Sequence, residues 1–416
     1  MARIAPDASL EKRASLKRSV SLPLLTLYGL GTTVGAGIYV LIGATAAQAG
    51  YYAPLAFVIA ALVVAIPAAC YAELSSRFPV SAGEAAYVRA GFGDGVLPLV
   101  TGLLVAISGI VSSATLVQGG TGYLRTLLDL PEPVYLVILP LLFGAIAVWG
   151  VSESLRAAAL FTIIEVGGLL LIIIGGNDTA AQRFADPGFS LPPFDGAALA
   201  GVFSAGLIAF FAFIGFEDIV NLAEEVRNPK RTIPWAIGLT LAITTLLYVM
   251  VCSIAVLAVP LDELTRSSAP LSLVLERAAD IHGSLISVIA VAAVLNGVLI
   301  QMIMASRVFY GLARMGKLPA LLGRVHPVTR TPVNATLLVT AVIMGLAFSL
   351  ELEQLATMTS VLLLMVFALV NLALWRLKRR EPAPPDMFSV PDWLPLAGFF
   401  ACVLFLLSDI AGRLAT

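Results

Sequence analysis

The chain has 416 residues, of which 59% are hydrophobic and 12% are charged, and its mean hydropathy is +0.97. A soluble domain carries about 25% charged residues, so water is excluded as the solvent for most of this surface. The net charge of −1 offers no basic excess that would attract nucleic acid. We therefore expect an integral membrane protein whose surroundings are the lipid bilayer and whose partners exclude nucleic acid.

The cysteines and histidines indicate neither a disulfide framework nor a metal site. Cys70, Cys252 and Cys402 lie in separate apolar stretches, and His282 and His326 form no ligand-spaced cluster with Cys, Asp or Glu. The sequence also lacks a phosphate-binding loop of the GxxxxGKS type. We predict no metal, no nucleotide or redox cofactor, and no catalytic residue.

Eleven apolar segments are candidates for crossing the membrane. A helix needs roughly 20 apolar residues to span the hydrocarbon, because every backbone polar group must be satisfied within the segment. In chain order the segments are 22–47, 53–71, 96–124, 134–151, 156–174, 199–222, 233–256, 285–312, 333–350, 355–377 and 394–410. The first follows a basic stretch but is too long for the core of a signal peptide, so we expect it to remain in the mature protein.

The distribution of Lys and Arg predicts the orientation of these spans. If the N-terminal segment 1–21 is cytoplasmic, 20 of the 25 Lys and Arg residues also fall on the cytoplasmic side. An odd number of spans then puts the C-terminus outside. We predict a multi-pass protein of the cell membrane with this orientation, in which five basic residues lie outside: Arg125, Arg183, Arg266, Arg277 and Arg413.

Two spans contain residues that a continuous lipid-facing helix has little use for. The first span carries Gly35 and Gly37 in the run TVGAGIYV. The sixth carries Gly215, followed by Glu217 and Asp218, in the run FFAFIGFED. Both runs predict a local break in the helix, and a matching pair of interrupted spans is typical of a transporter site at the midplane of the membrane.

The positions of these breaks divide the chain into two repeats of five spans. Each broken span is followed by four more, so the repeats cover residues 22–176 and 197–377, and residues 378–416 add a cytoplasmic loop and an eleventh helix. Because five is odd, the second repeat is inverted. We predict an all-α membrane protein with a 5+5 inverted repeat, discontinuous helices 1 and 6, and one extra C-terminal helix.

Broken helices suit the binding of an amino acid. The N-terminus of a half-helix presents N–H groups and a positive dipole end to a carboxylate, and its C-terminus presents carbonyls to an ammonium. An α-amino acid carries both groups. The alternative is that the glycines only allow helices to pack closely.

Five motifs, in order between residues 22 and 319, resemble those of the amino acid, polyamine and organocation (APC) transporter superfamily, which has a LeuT-like fold. The break GAGIYVLIG resembles that of its first helix, and GFEDIVNLAEEVRNPKRTIPWAI resembles its sixth helix and the extension that follows. The other three are YAELSSRFPVSAGEAAYV, WGVSESLRAA and ASRVFYGLARMGKLP. The resemblance implies an amino acid permease.

The same resemblance implies which residues bind substrate. Backbone N–H groups around Ala36, Gly37 and Ile38, next to Gly35, would hold the carboxylate. The aromatic rings of Phe211 and Phe213 would wall or gate the pocket. The carbonyls that would hold the ammonium belong to Thr33, Phe211, Ala212 and Ile214.

Glu165 departs from the family pattern and is our candidate for ion coupling. It lies about nine residues into the fifth span, roughly 13 Å deep, and many family members have a lysine there whose ammonium stands in for a bound sodium ion. An ionisable group at this depth is a functional candidate by default. Burial would let Glu165 bind and release a proton; alternatively, Glu165 and Asn296 on the opposite wall would bind sodium, or a neutral Glu165 would only link helices by hydrogen bonds.

Other charged residues receive structural interpretations. We expect Glu217 and Asp218 to cap the amides of the second half of helix 6. Charges at the cytoplasmic helix ends, among them Arg77 and Glu84, are interpreted as solvated clusters, with an inner gate as the alternative.

These features predict a secondary active amino acid transporter that works by alternating access, with H⁺ the favoured coupling ion and Na⁺ second. An enzyme is disfavoured because no polar constellation for catalysis lies at membrane depth. The alternatives are a carrier of polyamines or other organic amines, a sodium-coupled or uncoupled amino acid exchanger, and an amino acid sensor or transport subunit without flux. The sequence predicts no oligomeric state.

Overall fold

A computed structural model describes residues 18–79, 83–149, 155–314, 316–382, 384 and 387–415. Most of the predicted N-terminal segment lies outside this described part. The first repeat consists of helices α1 (Leu22–Val34), α2 (Ala36–Ala49), α3 (Ala53–Arg77), α4 (Gly83–Phe92), α5 (Val96–Leu127), α6 (Glu132–Trp149) and α7 (Leu155–Ala185).

The second repeat begins with a helix that is also interrupted. Helix α8 (Gly196–Phe211) is followed by a 3₁₀ helix (Phe216–Leu222), so the sixth span changes its helix type at the break. The remaining helices are α9 (Pro229–Ala258), α10 (Leu261–Arg266), α11 (Pro270–Ala279), α12 (Ser284–Arg314), α13 (Val333–Ser349), α14 (Leu352–Arg380) and α15 (Leu394–Ala415).

The described residues form eight helical segments long and apolar enough to cross a membrane. Three shorter apolar helices accompany them: Leu22–Val34, Val333–Ser349 and Leu394–Leu407. Helix α1, with 13 residues, is about 20 Å long and cannot cross roughly 30 Å of hydrocarbon by itself. The all-helical membrane fold and its two broken helices are confirmed, whereas helix length does not establish the count of eleven spans.

Helix α7 is longer than the sequence predicted. The predicted fifth span ended at residue 174 and the first repeat at 176, but the helix continues to Ala185. Gly176 lies within the helix and does not end it. At this glycine α7 packs closely against α9, since a Cβ built there would lie 2.4 Å from Cγ2 of Ile254. Tertiary packing thus overrides the weak helix propensity of glycine.

The helices of the two repeats pack against their counterparts. The largest contacts join α5 to α12 and α3 to α9, in each case a helix of the first repeat to the equivalent helix of the second. Helix α1 packs against α7 and α9. Its start is held by backbone pairing, since the N–H of Val20 donates to the carbonyl of Glu225 (3.0 Å) and the N–H of Arg227 donates to the carbonyl of Val20 (2.9 Å). The segment that follows the second break therefore anchors α1, the helix that ends at the first break.

Candidate substrate site at the two helix breaks

The first break is a single residue wide. Helix α1 ends at Val34 and α2 begins at Ala36, with Gly35 between them at φ −27° and ψ −154°. The first turn of a helix has N–H groups without intrahelical partners, and the last turn has carbonyls in the same condition. The gap at Gly35 therefore brings the carbonyl end of α1 and the amide end of α2 together.

The second break is a four-residue turn. After Phe211, residues 212–215 leave the helix, and Gly215 adopts φ +123°, a conformation that favours glycine. The Glu217 carboxylate accepts a hydrogen bond from the N–H of Gly215 at 2.9 Å. Glu217 thus satisfies an amide at the break, but that amide belongs to Gly215 and not to the 3₁₀ helix that it was predicted to cap.

The two breaks touch each other. A Cβ built on Gly215 would lie 2.2 Å from the carbonyl oxygen of Thr32, and one built on Gly37 would lie 2.9 Å from Cα of Ala212. The Thr32 hydroxyl also donates to the carbonyl of Gly215 at 2.9 Å. Close packing and helix interruption are therefore not rival explanations of these glycines, because the same residues do both.

Tyr248, which the sequence analysis did not single out, joins the two breaks. Its buried hydroxyl lies 2.7 Å from the carbonyl of Thr33 and 2.8 Å from that of Ala212. Both carbonyls were predicted to hold the substrate ammonium, and each retains a second lone pair. A buried tyrosine hydroxyl needs a partner, and this need was the signal in the sequence, although it does not name the partner.

A cavity of about 40 Å³ lies at the breaks. This space holds about three waters, so an amino acid requires the cavity to widen. Among its walls are six of the residues predicted for the substrate and ion sites: Thr33, Gly35, Gly37, Phe211, Ile214 and Asn296.

Three of the other predicted substrate residues with described side chains, Ile38, Ala212 and Phe213, are not among the lining residues of this cavity. Ile38 and Phe213 are buried elsewhere, and the Phe213 ring packs against Tyr248 with 5.1 Å between centroids. The carbonyl of Ala212 faces the Tyr248 hydroxyl. The side chain of Ala36 lies outside the described part. In this conformation the Phe213 ring packs behind the break, and its predicted role as a wall or gate of the pocket stays a prediction.

Helices α5 and α12 supply further wall residues that the sequence analysis did not assign. Ser112 of α5 and Gln301 of α12 add polar groups, and Leu116 and Ile300 add apolar ones. Asp218, predicted only to cap a helix, also lines the cavity. Its nearest described hydrogen-bond donor is the amide of Asn221 at a long 3.4 Å, so an acidic group is available at the cavity wall.

Glu165 is buried near the cavity without lining it. Its side chain is 1% exposed, and neither carboxylate oxygen has a hydrogen-bond partner among the described residues. Its backbone carbonyl accepts from the Tyr39 hydroxyl at 2.6 Å. The alternative in which Glu165 only links helices by hydrogen bonds is therefore wrong for this conformation, and Glu165 makes no hydrogen bond to Asn296.

Arg77 forms an ion pair with Glu73. Its guanidinium donates to the Glu73 carboxylate at 2.7 and 2.9 Å, and the side chain is 6% exposed. Glu84 is itself buried. The interpretation of Arg77 and Glu84 as a solvated cluster is therefore wrong, because both side chains are removed from water and Arg77 belongs to a buried ion pair.

Comparison of the whole sequence with known proteins shows which family the chain belongs to. A family model described as amino acid permease matches residues 22–411. The cationic amino acid transporter 3, mitochondrial, of Arabidopsis thaliana is 30% identical over 91% of this chain, which spans 65% of that protein's length. The branched-chain amino acid permease BcaP of Bacillus subtilis is 28% identical over 95% of this chain and 88% of its own length. The methylthioribose transporter of the same organism is 30% identical over 95% of this chain and 89% of its own length.

A solved structure shares the fold. A Na⁺-coupled sialic acid symporter in its substrate-bound outward-open state aligns with 95% of this chain and 90% of its own, with a TM-score of 0.58 and 14% identity. The likeness extends over both repeats. Since the family match covers almost the whole chain and the fold contains the two broken helices, the chain belongs to the amino acid permease family of membrane transporters.

Proposed function

We propose that this protein is a secondary active transporter of amino acids that works by alternating access and is coupled to protons through Glu165. The observation that carries the proposal is the meeting of the two helix breaks at one cavity. There the N–H groups of α2 can hold a carboxylate, and the carbonyls that end α1 and α8 can hold an ammonium.

The small cavity supports alternating access. At about 40 Å³ it is too small for an amino acid, so packed helices must separate before substrate can occupy the breaks. The inverted repeats offer two equivalent arrangements of the same elements, one open to each side. Binding energy gained at the breaks would favour closure around the substrate.

The surroundings of Glu165 support a role in coupling. It lies on the face of α7 that meets the first broken helix, between Thr162, which touches α1 at Gly31, and Gly168, which touches Tyr39 of α2. An unpaired carboxylate at this depth is costly, so Glu165 would hold a proton while it is buried as it is here. Opening to water removes that cost and releases the proton. Substrate and proton movements would thereby be linked through α1 and α2.

Purified protein in liposomes tests this proposal. Uptake of a labelled amino acid mixture is measured with an inward proton gradient, with a sodium gradient, and with neither. We expect the proton gradient to stimulate wild type, and Glu165→Gln to lose the stimulation because the amide cannot release a proton. Glu132→Gln, a change of an exposed carboxyl group, is the matched control and should keep it. Sodium-stimulated uptake, or uptake indifferent to both gradients and to the substitution, would contradict proton coupling through Glu165. Ligand binding without flux would contradict transport itself.

Asp218 favours substrates with a positively charged side chain. A carboxylate on the cavity wall can pair with a second ammonium or a guanidinium, and a hydrogen bond to a charged group contributes about 1.5–3 kcal/mol. The similarity to the Arabidopsis cationic amino acid transporter supports this substrate class. The similarity to BcaP supports a neutral branched-chain substrate instead.

Competition assays distinguish these substrates. We expect lysine to inhibit wild-type uptake more strongly than leucine, and Asp218→Asn to weaken inhibition by lysine about tenfold or more while inhibition by leucine changes little. Cadaverine, which is lysine without its carboxylate, should compete poorly, because the amides of α2 then have nothing to bind. Equal competition by cadaverine would point to an amine carrier, and loss of lysine and leucine inhibition together would assign Asp218 a structural role.

We further propose that the protein lies in the cell membrane with a cytoplasmic N-terminus and an external C-terminus. The support is the distribution of Lys and Arg, which concentrates on one side of the spans. In this orientation the N-terminal end of α9 faces the cytoplasm.

A further inference from the structure

A groove of about 870 Å³ runs along the outside of the helix bundle between α3 and α9. Its floor is a row of small side chains on α3, from Ala61 through Ala65 and Ala68 to Ala72. Leu62 and Leu246, which are 64% and 62% exposed, stand at its edges. The groove shares no lining residue with the cavity at the helix breaks, and an apolar outer surface between two spans is expected to face the bilayer.

The wall of the groove is apolar along its whole length. Thr245 contributes a hydroxyl, but that group is already used, since it donates to the carbonyl of Leu241 at 2.6 Å. Along α9 the lining extends from Pro234 to Val249, about 22 Å at 1.5 Å per residue. This length exceeds half of a hydrocarbon core of about 30 Å. A lipid chain from one leaflet can therefore lie along the groove for its full depth.

One end of the groove carries positive charge. Lys230 and Arg231 are exposed in the first turn of α9. Lys230 precedes Pro234 by four residues and Arg231 precedes Trp235 by four, so both basic residues continue the helix face that lines the groove. Trp235 is 66% exposed at the same end, as is typical of an indole at the membrane interface.

We propose that this groove binds an anionic phospholipid, with an acyl chain along the alanines of α3 and the phosphate held by Lys230 and Arg231. Basic groups at the interface beside an apolar recess between helices are what such a headgroup requires. The inference goes beyond the proposed transport function and does not rest on it.

The charges favour a lipid over a second copy of this chain. A twofold dimer through this face would use the same patch on both copies. With the twofold axis along the membrane normal, Lys230 and Arg231 of the two copies would come to the same side of the membrane and face each other. Repulsion between them would oppose that dimer, whereas an anionic headgroup neutralises them.

Native mass spectrometry of the full chain tests the site with two probes that differ only in their headgroup. These are dioleoyl-phosphatidylglycerol, which is anionic, and dioleoyl-phosphatidylcholine, which is zwitterionic. A basic residue near an anionic surface contributes roughly a fivefold gain in binding. We therefore expect wild type to bind one phosphatidylglycerol about 30-fold more tightly than phosphatidylcholine.

Two variants separate the headgroup from the chain. The double change Lys230→Gln and Arg231→Gln should remove the preference for phosphatidylglycerol and leave phosphatidylcholine binding unchanged. Gly238→Phe should weaken both lipids, because a Cβ at Gly238 meets no atom within 4 Å and its ring would occupy the groove. The control, Lys317→Gln with Arg324→Gln, removes two exposed charges elsewhere and should bind both lipids as wild type does.

Several outcomes would overturn the proposal. Equal affinity of wild type for the two lipids would remove the headgroup site. An equal loss of phosphatidylglycerol binding in the Lys317 and Arg324 control would reduce the effect to general surface charge. Unchanged binding in a Gly238→Phe protein that keeps the thermal stability of wild type would place the chain outside the groove, and a dimer that Gly238→Phe dissociates would assign the groove to a second copy.

Discussion

Replacing Gly215 with alanine is expected to reduce amino acid uptake at least tenfold. The added Cβ would lie 2.2 Å from the carbonyl oxygen and 2.5 Å from the carbonyl carbon of Thr32, so backbone must move by about an ångström. Its φ of +123° is also a conformation that costs a residue with a side chain about 1–3 kcal/mol. The hydrogen bond that the Thr32 hydroxyl donates to the carbonyl of Gly215, at 2.9 Å, would be displaced as well. Both half-helix ends that are proposed to hold substrate would lose their relative position.

Gly345→Ala is the matched control for this change. Gly345 lies inside α13, where an added Cβ meets nothing within 4 Å. Alanine there should leave uptake unchanged and raise stability slightly, because alanine is the better helix former by about 1 kcal/mol. Uptake by both variants is measured in liposomes at matched protein content. Normal uptake by Gly215→Ala would show that the two breaks need not touch for transport.

Replacing Glu73 with alanine is expected to lower the thermal midpoint of the detergent-solubilised protein by about 5–10 °C. Glu73 is fully buried and accepts hydrogen bonds from Arg77 at 2.7 Å, from Lys378 at 3.2 Å and from the N–H of Val390 at 2.8 Å. It thereby joins the end of α3 to the end of α14 and to the segment before α15. Without Glu73, the buried guanidinium of Arg77 has lost its ion-pair partner. Lys378 still pairs with the carboxylate of Asp392, which is 91% exposed. Leaving a buried charge without its partner costs about 3–5 kcal/mol.

Glu263→Ala provides the comparison at an exposed pair. Glu263 and Arg277 are also 2.7 Å apart, but their side chains are 38% and 56% exposed. Exposed pairs contribute about 1 kcal/mol or less, so the midpoint should move by no more than about 2 °C. Equal shifts in the two variants would mean that burial does not strengthen the Glu73 pairing. Glu73→Gln, which keeps the shape and part of the hydrogen bonding, should fall between wild type and alanine.

The membrane fold and its breaks could be predicted because two physical rules act directly on the sequence. Backbone N–H and C=O groups in hydrocarbon must be hydrogen-bonded within each span, so runs of about 20 apolar residues predict membrane-spanning helices. Interruptions are expensive there, so Gly35 and Gly215 stand out, and their spacing indicates the inverted repeats. Glu165 was identifiable by the same reasoning, since a buried acid in a span is rare.

The side chains that face the cavity could not be predicted in the same way. In a soluble protein the polar face of a helix shows how the helix is rotated, but here the lipid-facing and core-facing sides are both apolar. Nothing in the sequence therefore distinguished Ser112 and Gln301, which reach the cavity, from other polar residues in the spans. The same ambiguity applies to Phe213, whose ring packs behind the break against Tyr248.

By itself the sequence determined that this protein lies in a membrane, where its helical spans are, and where two of them break. It also placed Glu165 deep within its span. Each of these follows from the local composition of segments that lie in hydrocarbon. The tertiary structure alone decided that Tyr248 joins the two breaks, that Glu73 pairs with Arg77 and Lys378, and that Asp218 reaches the cavity. These are contacts between residues distant in the chain. They depend on how each helix is rotated and offset against its neighbours, which only the packing of the whole bundle sets.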